Sequence, residues 1–343
     1  MKYIDYSNQI QKEAILNECK GNLFEFLVAQ GLASFSKLED QFLLNQPFEF
    51  RDKLMSYEDL IRAQEPKLLT KLPVLSKLTV NSIWKELKLD ELNLKQWKVI
   101  GKIVATNDNE FWNETDIVGI YHNGDGVPKH LALSLKLSKE HSYTNTKSAG
   151  AKSFITKYFG TFKGRAISFQ AELNEVVDES FLMMGHQLYS MIDKDFSGSF
   201  NSDWSDSFSE LPGELTPEMR SVVHQNYHRV ALKLASILDQ LKKKDEILFY
   251  NSLASLCGFG HSEIIQVSCF HQEYDFSSIS IKKYEDFFSS LDSEKKCELR
   301  PLKDDASSVE IILGKIILQI RIKPMNKFTT AAYKINCSIK VKK

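Results

Sequence analysis

Leu131, Leu133, Leu135 and Leu137 alternate with Ala132, Ser134, Lys136 and Ser138, the period of two that a strand with one buried face imposes. The run before it, Asp116 to Tyr121, is equally strand-like, and His122-Asn123-Gly124-Asp125-Gly126 between them supplies residues that accept positive φ. The pair therefore predicts an antiparallel hairpin that carries Asp116 toward Ser134 and Lys136. Apolar positions at helical spacing predict helices over 9–35, over 167–192, and from the Thr216-Pro217-Glu218 start signal to Lys242-Lys243-Lys244. Residues 36–112 read as mainly helical, punctuated by Pro47, Pro66 and Pro73, with Trp84 and Trp97 on apolar faces. Ile264 to Val267 read as a buried strand, and 310–322 with 332–341 as a C-terminal hairpin. The fold class that follows is α/β, a mixed central sheet flanked by helices, with a helical insertion or arm at 36–112 and a β-hairpin at 309–343.

An acid at the head of one strand and a lysine on its neighbour is what phosphodiester hydrolysis asks for. The carboxylate holds a hard divalent cation, and cation and ammonium together offset the charge of the pentacovalent transition state. The arrangement Asp116 … Ser134-Leu135-Lys136 resembles the PD-(D/E)XK nuclease superfamily, in its type II restriction endonuclease-like branch, where an acid on one core strand is followed by acid-x-Lys on the next. Ser134 departs from that pattern, standing where the second carboxylate usually lies. The resemblance implies a replacement acid, and Glu25, in the Gly21-Asn22-Leu23-Phe24-Glu25 stretch of the first helix, is similar to the glutamate that faces the metal in that family; Glu172 is the second choice. It further implies a single elaborated nuclease domain over 1–343, with a catalytic hairpin and phosphate-contacting loop at 113–165. The implied activity is Mg²⁺-dependent cleavage of double-stranded DNA, with Asp116 and Glu25 on the metal, Lys136 at the transition state and Ser134 shaping the site. A homodimer is implied for a short symmetric recognition site. Phage recombination and repair nucleases share the motif, and a DNA-binding protein with a decayed site is the alternative that Ser134 keeps open.

The net charge of −1 hides a segregation. Residues 129–165 hold eight Lys and Arg against Glu140 alone, and 309–343 hold eight against Glu310 alone, so each stretch carries +7 and the remainder −15. Local potential of that kind suits encounter with a polyanion. The expected DNA contacts are Lys139, Asn145, Lys147 and Lys152, in a polar loop feeding a helix N-terminus, and Arg321, Lys323, Lys327 and Lys334 on the C-terminal hairpin.

Five scattered cysteines, the absence of a signal-peptide-like run at the start of this sequence and the lack of an apolar stretch of membrane-spanning length lead to the expectation of reduced thiols in a cytoplasmic protein. Other motifs carry less. Asp193 to Trp204 imitates a calcium loop but ends in tryptophan where a bidentate glutamate belongs, and reads as a mobile surface loop. His224 with His228, and Cys257, His261, Cys269 and His271, match no standard zinc spacing.

Overall fold

The computed structural model describes residues 9–100, 115–122, 126–139, 143–259, 263–288 and 297–341. The elements run α1 (Gln9–Phe35), α2 (Glu39–Leu44), α3 (Phe48–Gln64), α4 (Leu68–Glu86), β1 (Asn93–Val99), β2 (Ile117–His122), β3 (Pro128–Lys139) and β4 (Thr144–Gly150). Then come α5 (Phe154–Tyr158), α6 (Gly164–Ser190), α7 (Ser202–Ser205), α8 (Pro217–Lys244) and α9 (Glu246–Leu256), followed by β5 (Ile264–Gln272), β6 (Asp275–Lys282) and α10 (Glu285–Phe288). Strands β7 (Cys297–Leu299), β8 (Ser308–Leu313), β9 (Ile316–Pro324) and β10 (Tyr333–Val341) close the chain. The contacts divide into two compact units, Met1–Ser142 with Phe259–Asp286, and Tyr143–Gly258 with Phe287–Lys343.

The first unit is built on a five-stranded sheet in the order β1-β2-β3-β5-β6, with β3 and β5 parallel and every other pair antiparallel. The expected mixed sheet and the β2–β3 hairpin are both found, with Ile117 opposite Leu133. Helix α1 packs on β1 and β3 and α4 on β5 and β6. Val28, Ala29 and Leu32 of α1 share one core with Leu133, Leu135, Val267 and Cys269, so the helices cover the sheet face that carries the odd-numbered β3 leucines. Burying several such side chains, at ~1.5–3 kcal/mol each, is what fixes the strand register, because a slip of one residue would turn them all outward.

Part of the stretch expected to be helical is strand β1. Trp97 points into the core, where a Cβ on Gly119 across the ladder would lie 2.7 Å from its ring, so only glycine fits beneath the indole. Trp97 is anchored by its indole N–H, which donates to Ser36 Oγ at 3.0 Å. Pro47 and Pro66 stand before helices as punctuation should, but Pro73 lies inside α4 on its exposed face.

The second unit carries an antiparallel sheet in the order β4-β10-β9-β8-β7. Its apolar face, which includes Ile311, Leu318, Ile320 and Ile335, is buried, and α8 packs on β8 and β9 with α6 along α8. Thr216 caps α8 by accepting the Met219 N–H at 3.3 Å, as its start signal implied. The expected strand 310–322 is two strands: Gly314, at φ +54, turns β8 back on β9. The calcium-like loop is not a loose surface segment. Phe196, Phe200 and Trp204 pack with Tyr189 and Phe328, and Gly185 is required because a Cβ there would stand 2.4 Å from the Phe196 ring.

Candidate active site

Strand β3 outruns β2. Their ladder ends at Ile117 opposite Leu133, with one further bond from the Asp116 N–H to Leu133 O at 2.9 Å, whereas β3 continues to Lys139, paired among the described residues only with β5. The next amide on that edge, Leu135 N–H, meets no strand among the described residues. It donates instead to Asp116 Oδ2 at 2.6 Å. The same oxygen accepts from Ser134 Oγ at 3.3 Å and faces Lys136 Nζ at 3.4 Å. Sequence reasoning placed these three side chains together, and they are together. Asp116 and Lys136 keep 17% and 26% of their side-chain surface, enough for a solvent-borne group to reach a pair otherwise shielded from bulk screening.

Glu25 is three and four residues from Asn22, Val28 and Ala29, all buried, and so stands on the inward arc of α1 while remaining half exposed. One turn earlier on the same arc, a Cβ at Gly21 would meet nothing within 4 Å. Helix α1 covers the sheet face opposite the one that carries Ser134 and Lys136, so the structure sets Glu25 on the other side of β3 from those two side chains. Glu172, the second choice, is ion-paired with Lys233 at 2.6 Å in the second unit.

No family model matches the chain, and no curated protein matches it. Among solved structures the chain is similar to the restriction endonuclease MspI, seen in a crystal structure with its cognate DNA, at 12% identity and a TM-score of 0.37, over 88% of this chain and 97% of that one.

The donor set at Asp116 is one carboxylate and one hydroxyl, both hard oxygens, and among the described residues no group of three or more His, Cys, Asp and Glu comes together. A closed protein cage for zinc or calcium is therefore absent from those residues. What is present fits Mg²⁺, which keeps most of its waters and takes one or two carboxylates.

The expected polar loop at 144–148 is strand β4, pairing with β10. Its run of small and polar residues is accommodated at a sheet edge. Asn145 is exposed on it and Lys147 half buried, while Lys139 is exposed at the tip of β3. Lys152 is engaged with Asp178 at 2.6 Å. Lys327 pairs with Glu210 at 2.7 Å, which also accepts from Thr329 at 2.6 Å, so this lysine ties down the β9–β10 connection. Arg321, Lys323 and Lys334 share the polar face of that sheet, Lys323 directly opposite Lys334 and Arg321 opposite Asn336. Burial, then the neighbouring Lys334 and Arg321, holds the Lys323 ammonium below the usual lysine range, the signature of crowded positive charge.

At the far end of β5, His271 is buried, its Nδ1 accepting the Tyr274 N–H at 3.1 Å and its ring stacked on Tyr274 with centroids 4.6 Å apart. Burial, reinforced by Lys139 and Lys20, pushes its pKa below the ordinary histidine value. The unfolded chain then takes up a proton near pH 6.5 that the folded chain refuses until lower pH, so stability is level above that value and falls as pH drops below it. Urea midpoints measured across pH 5 to 8 are expected to show that decline, and His271→Gln is expected to flatten it.

All five cysteines are buried free thiols. His261 lies outside the described residues; His228 bonds to Ala306 O at 2.8 Å and His224 is exposed, so neither forms part of a metal site. Among the described residues no helix is long and apolar enough to cross a membrane.

Proposed function

We propose that the chain is a Mg²⁺-dependent endonuclease acting on double-stranded DNA. The observation that carries this reading is the meeting of the Asp116 carboxylate and the Lys136 ammonium, 3.4 Å apart, at the break where β3 parts from β2. Asp116 would hold the cation with Glu25 as its more distant support, and Ser134, too short to compete, would shape the space between. The bound cation supplies a Lewis acid and a water of lowered pKa. Lys136 orients the attacking water and meets the charge that builds on the phosphoryl oxygens, and the half-buried setting makes that interaction stronger than it would be in bulk water. Lys139 of the first unit is assigned to backbone phosphates, and so, in the second unit, are Asn145 and Lys147 on β4 and Arg321, Lys323 and Lys334 on β9 and β10. Lys152 and Lys327 join them only by exchanging their present carboxylate partners.

Restriction-type specificity is the finer form of the proposal, with two copies matching a symmetric site. Digestion of a defined genome in Mg²⁺ tests it: discrete fragments support a specific enzyme, a smear supports a recombination or repair nuclease, and intact DNA that is nevertheless bound supports the alternative that Ser134 keeps open, a DNA-binding protein with a decayed site.

The basic sheet face gives a separate expectation. Replacing Arg321 and Lys334 together with alanine is expected to weaken DNA binding at 100 mM salt by about tenfold or more and to lower the slope of log affinity against log salt by about 2, one for each phosphate that is no longer neutralised. An unchanged slope in a fluorescence-anisotropy titration would remove this face from the DNA interface.

A further inference from the structure

Among the described residues Lys136 has one carboxylate beside it where the proposed chemistry ordinarily draws on two, and β5 offers an answer. A strand in the middle of a sheet, parallel to its neighbour and covered on both faces, reads as a near-continuous apolar run. The first six residues of β5 read Ile264-Ile265-Gln266-Val267-Ser268-Cys269, and the two polar interruptions in that run are buried, Gln266 at 3% exposure and Ser268 at 9%. They fall beside the site. The register sets Gln266 next to Ser134 and Ser268 next to Lys136, so both project from the face that carries Ser134 and Lys136. Adjacent strands stand about 4.8 Å apart, and a glutamine side chain is long enough to lie across that distance over a serine that leaves the space free.

We propose that Gln266 completes the cation site: its carboxamide oxygen, reaching over Ser134, takes the place of the missing second carboxylate. Ser268, next to Lys136, keeps that stretch polar enough to hold the lysine's charge. This rests on the nuclease reading of Asp116 and Lys136 and deepens it, because it names a neutral ligand and so a weakly held cation.

Mn²⁺ binding to the full chain, measured directly by isothermal titration without DNA, tests the assignment, with cleavage of plasmid DNA read alongside. Gln266→Met keeps the volume and removes the oxygen, and is expected to weaken Mn²⁺ binding about tenfold. Gln266→Glu restores an oxygen and adds charge, and is expected to bind at least as tightly as the native chain. With Ser134→Asp in place, Gln266→Met is expected to lose most of its effect, since the new carboxylate occupies the same position. Unfolding midpoints are read on every variant. Equal Mn²⁺ affinity in the native, Met and Glu forms would overturn the assignment of Gln266 while leaving a cleaving enzyme intact. A native chain that neither binds Mn²⁺ nor cuts DNA would overturn the nuclease reading itself.

Discussion

Lys136→Ala is expected to slow DNA cleavage by about 10²–10³-fold while leaving DNA affinity within about twofold of the native chain. The ammonium sits 3.4 Å from Asp116 Oδ2 and its side chain is only 26% exposed, so the cation is held in place beside the carboxylate. On the proposed function its contribution is made where charge develops, and the many other cations along the chain are expected to go on holding the duplex. Lys136→Arg keeps the charge but not the shape, since a planar guanidinium cannot reproduce a compact point charge beside a carboxylate, and it is expected to recover only a small part of the rate. Single-turnover kinetics with a labelled duplex, paired with an anisotropy titration in Ca²⁺, separates the two quantities.

Asp116 carries two duties, and its substitutions are expected to separate them. As well as facing the cation position, its Oδ2 closes the ladder by accepting Leu135 N–H at 2.6 Å. Asp116→Asn retains an oxygen for that amide but loses the charge; cleavage is expected to fall by at least 10²-fold with the urea midpoint nearly unchanged. Asp116→Ala removes both, leaving the Leu135 amide without its partner, and is expected to cost a further ~1–3 kcal/mol of stability. A measured loss of stability as large for asparagine as for alanine would mean that the charge, and not the hydrogen bond, holds the break in the sheet.

These expectations were open to sequence reasoning because the residues concerned obey simple rules. The four alternating leucines set the register of β3, and the hairpin then had to bring Asp116 to Ser134 and Lys136. Helices α1, α6 and α8 were equally legible from apolar spacing. Strand β1 was not, because a register shift between Leu94 and Gln96 breaks the alternation and leaves Leu94 and Trp97 three apart, the spacing of a helix. Strand β4 was hidden by composition: Thr144 to Gly150 contains no large apolar side chain, and only pairing with β10 makes it a strand. The loop at 193–204 looked loose because its hydroxyls and acids dominate by count, yet Phe196, Phe200 and Trp204, spaced by four, are what pin it. Gln266 and Ser268 were illegible as site residues for a related reason. On β5 they read as breaks in a core strand, and only the parallel register with β3 sets them beside Ser134 and Lys136.

The central claim is that Asp116 and Lys136 form a centre for phosphodiester cleavage. Its most direct test is the conversion of supercoiled plasmid to nicked and linear forms by the native chain, Asp116→Asn and Lys136→Ala, in parallel, with Mg²⁺ and with EDTA. The native chain is predicted to cut in Mg²⁺ only and both variants to fall to the EDTA background while still binding DNA; equal cutting by all three would contradict it.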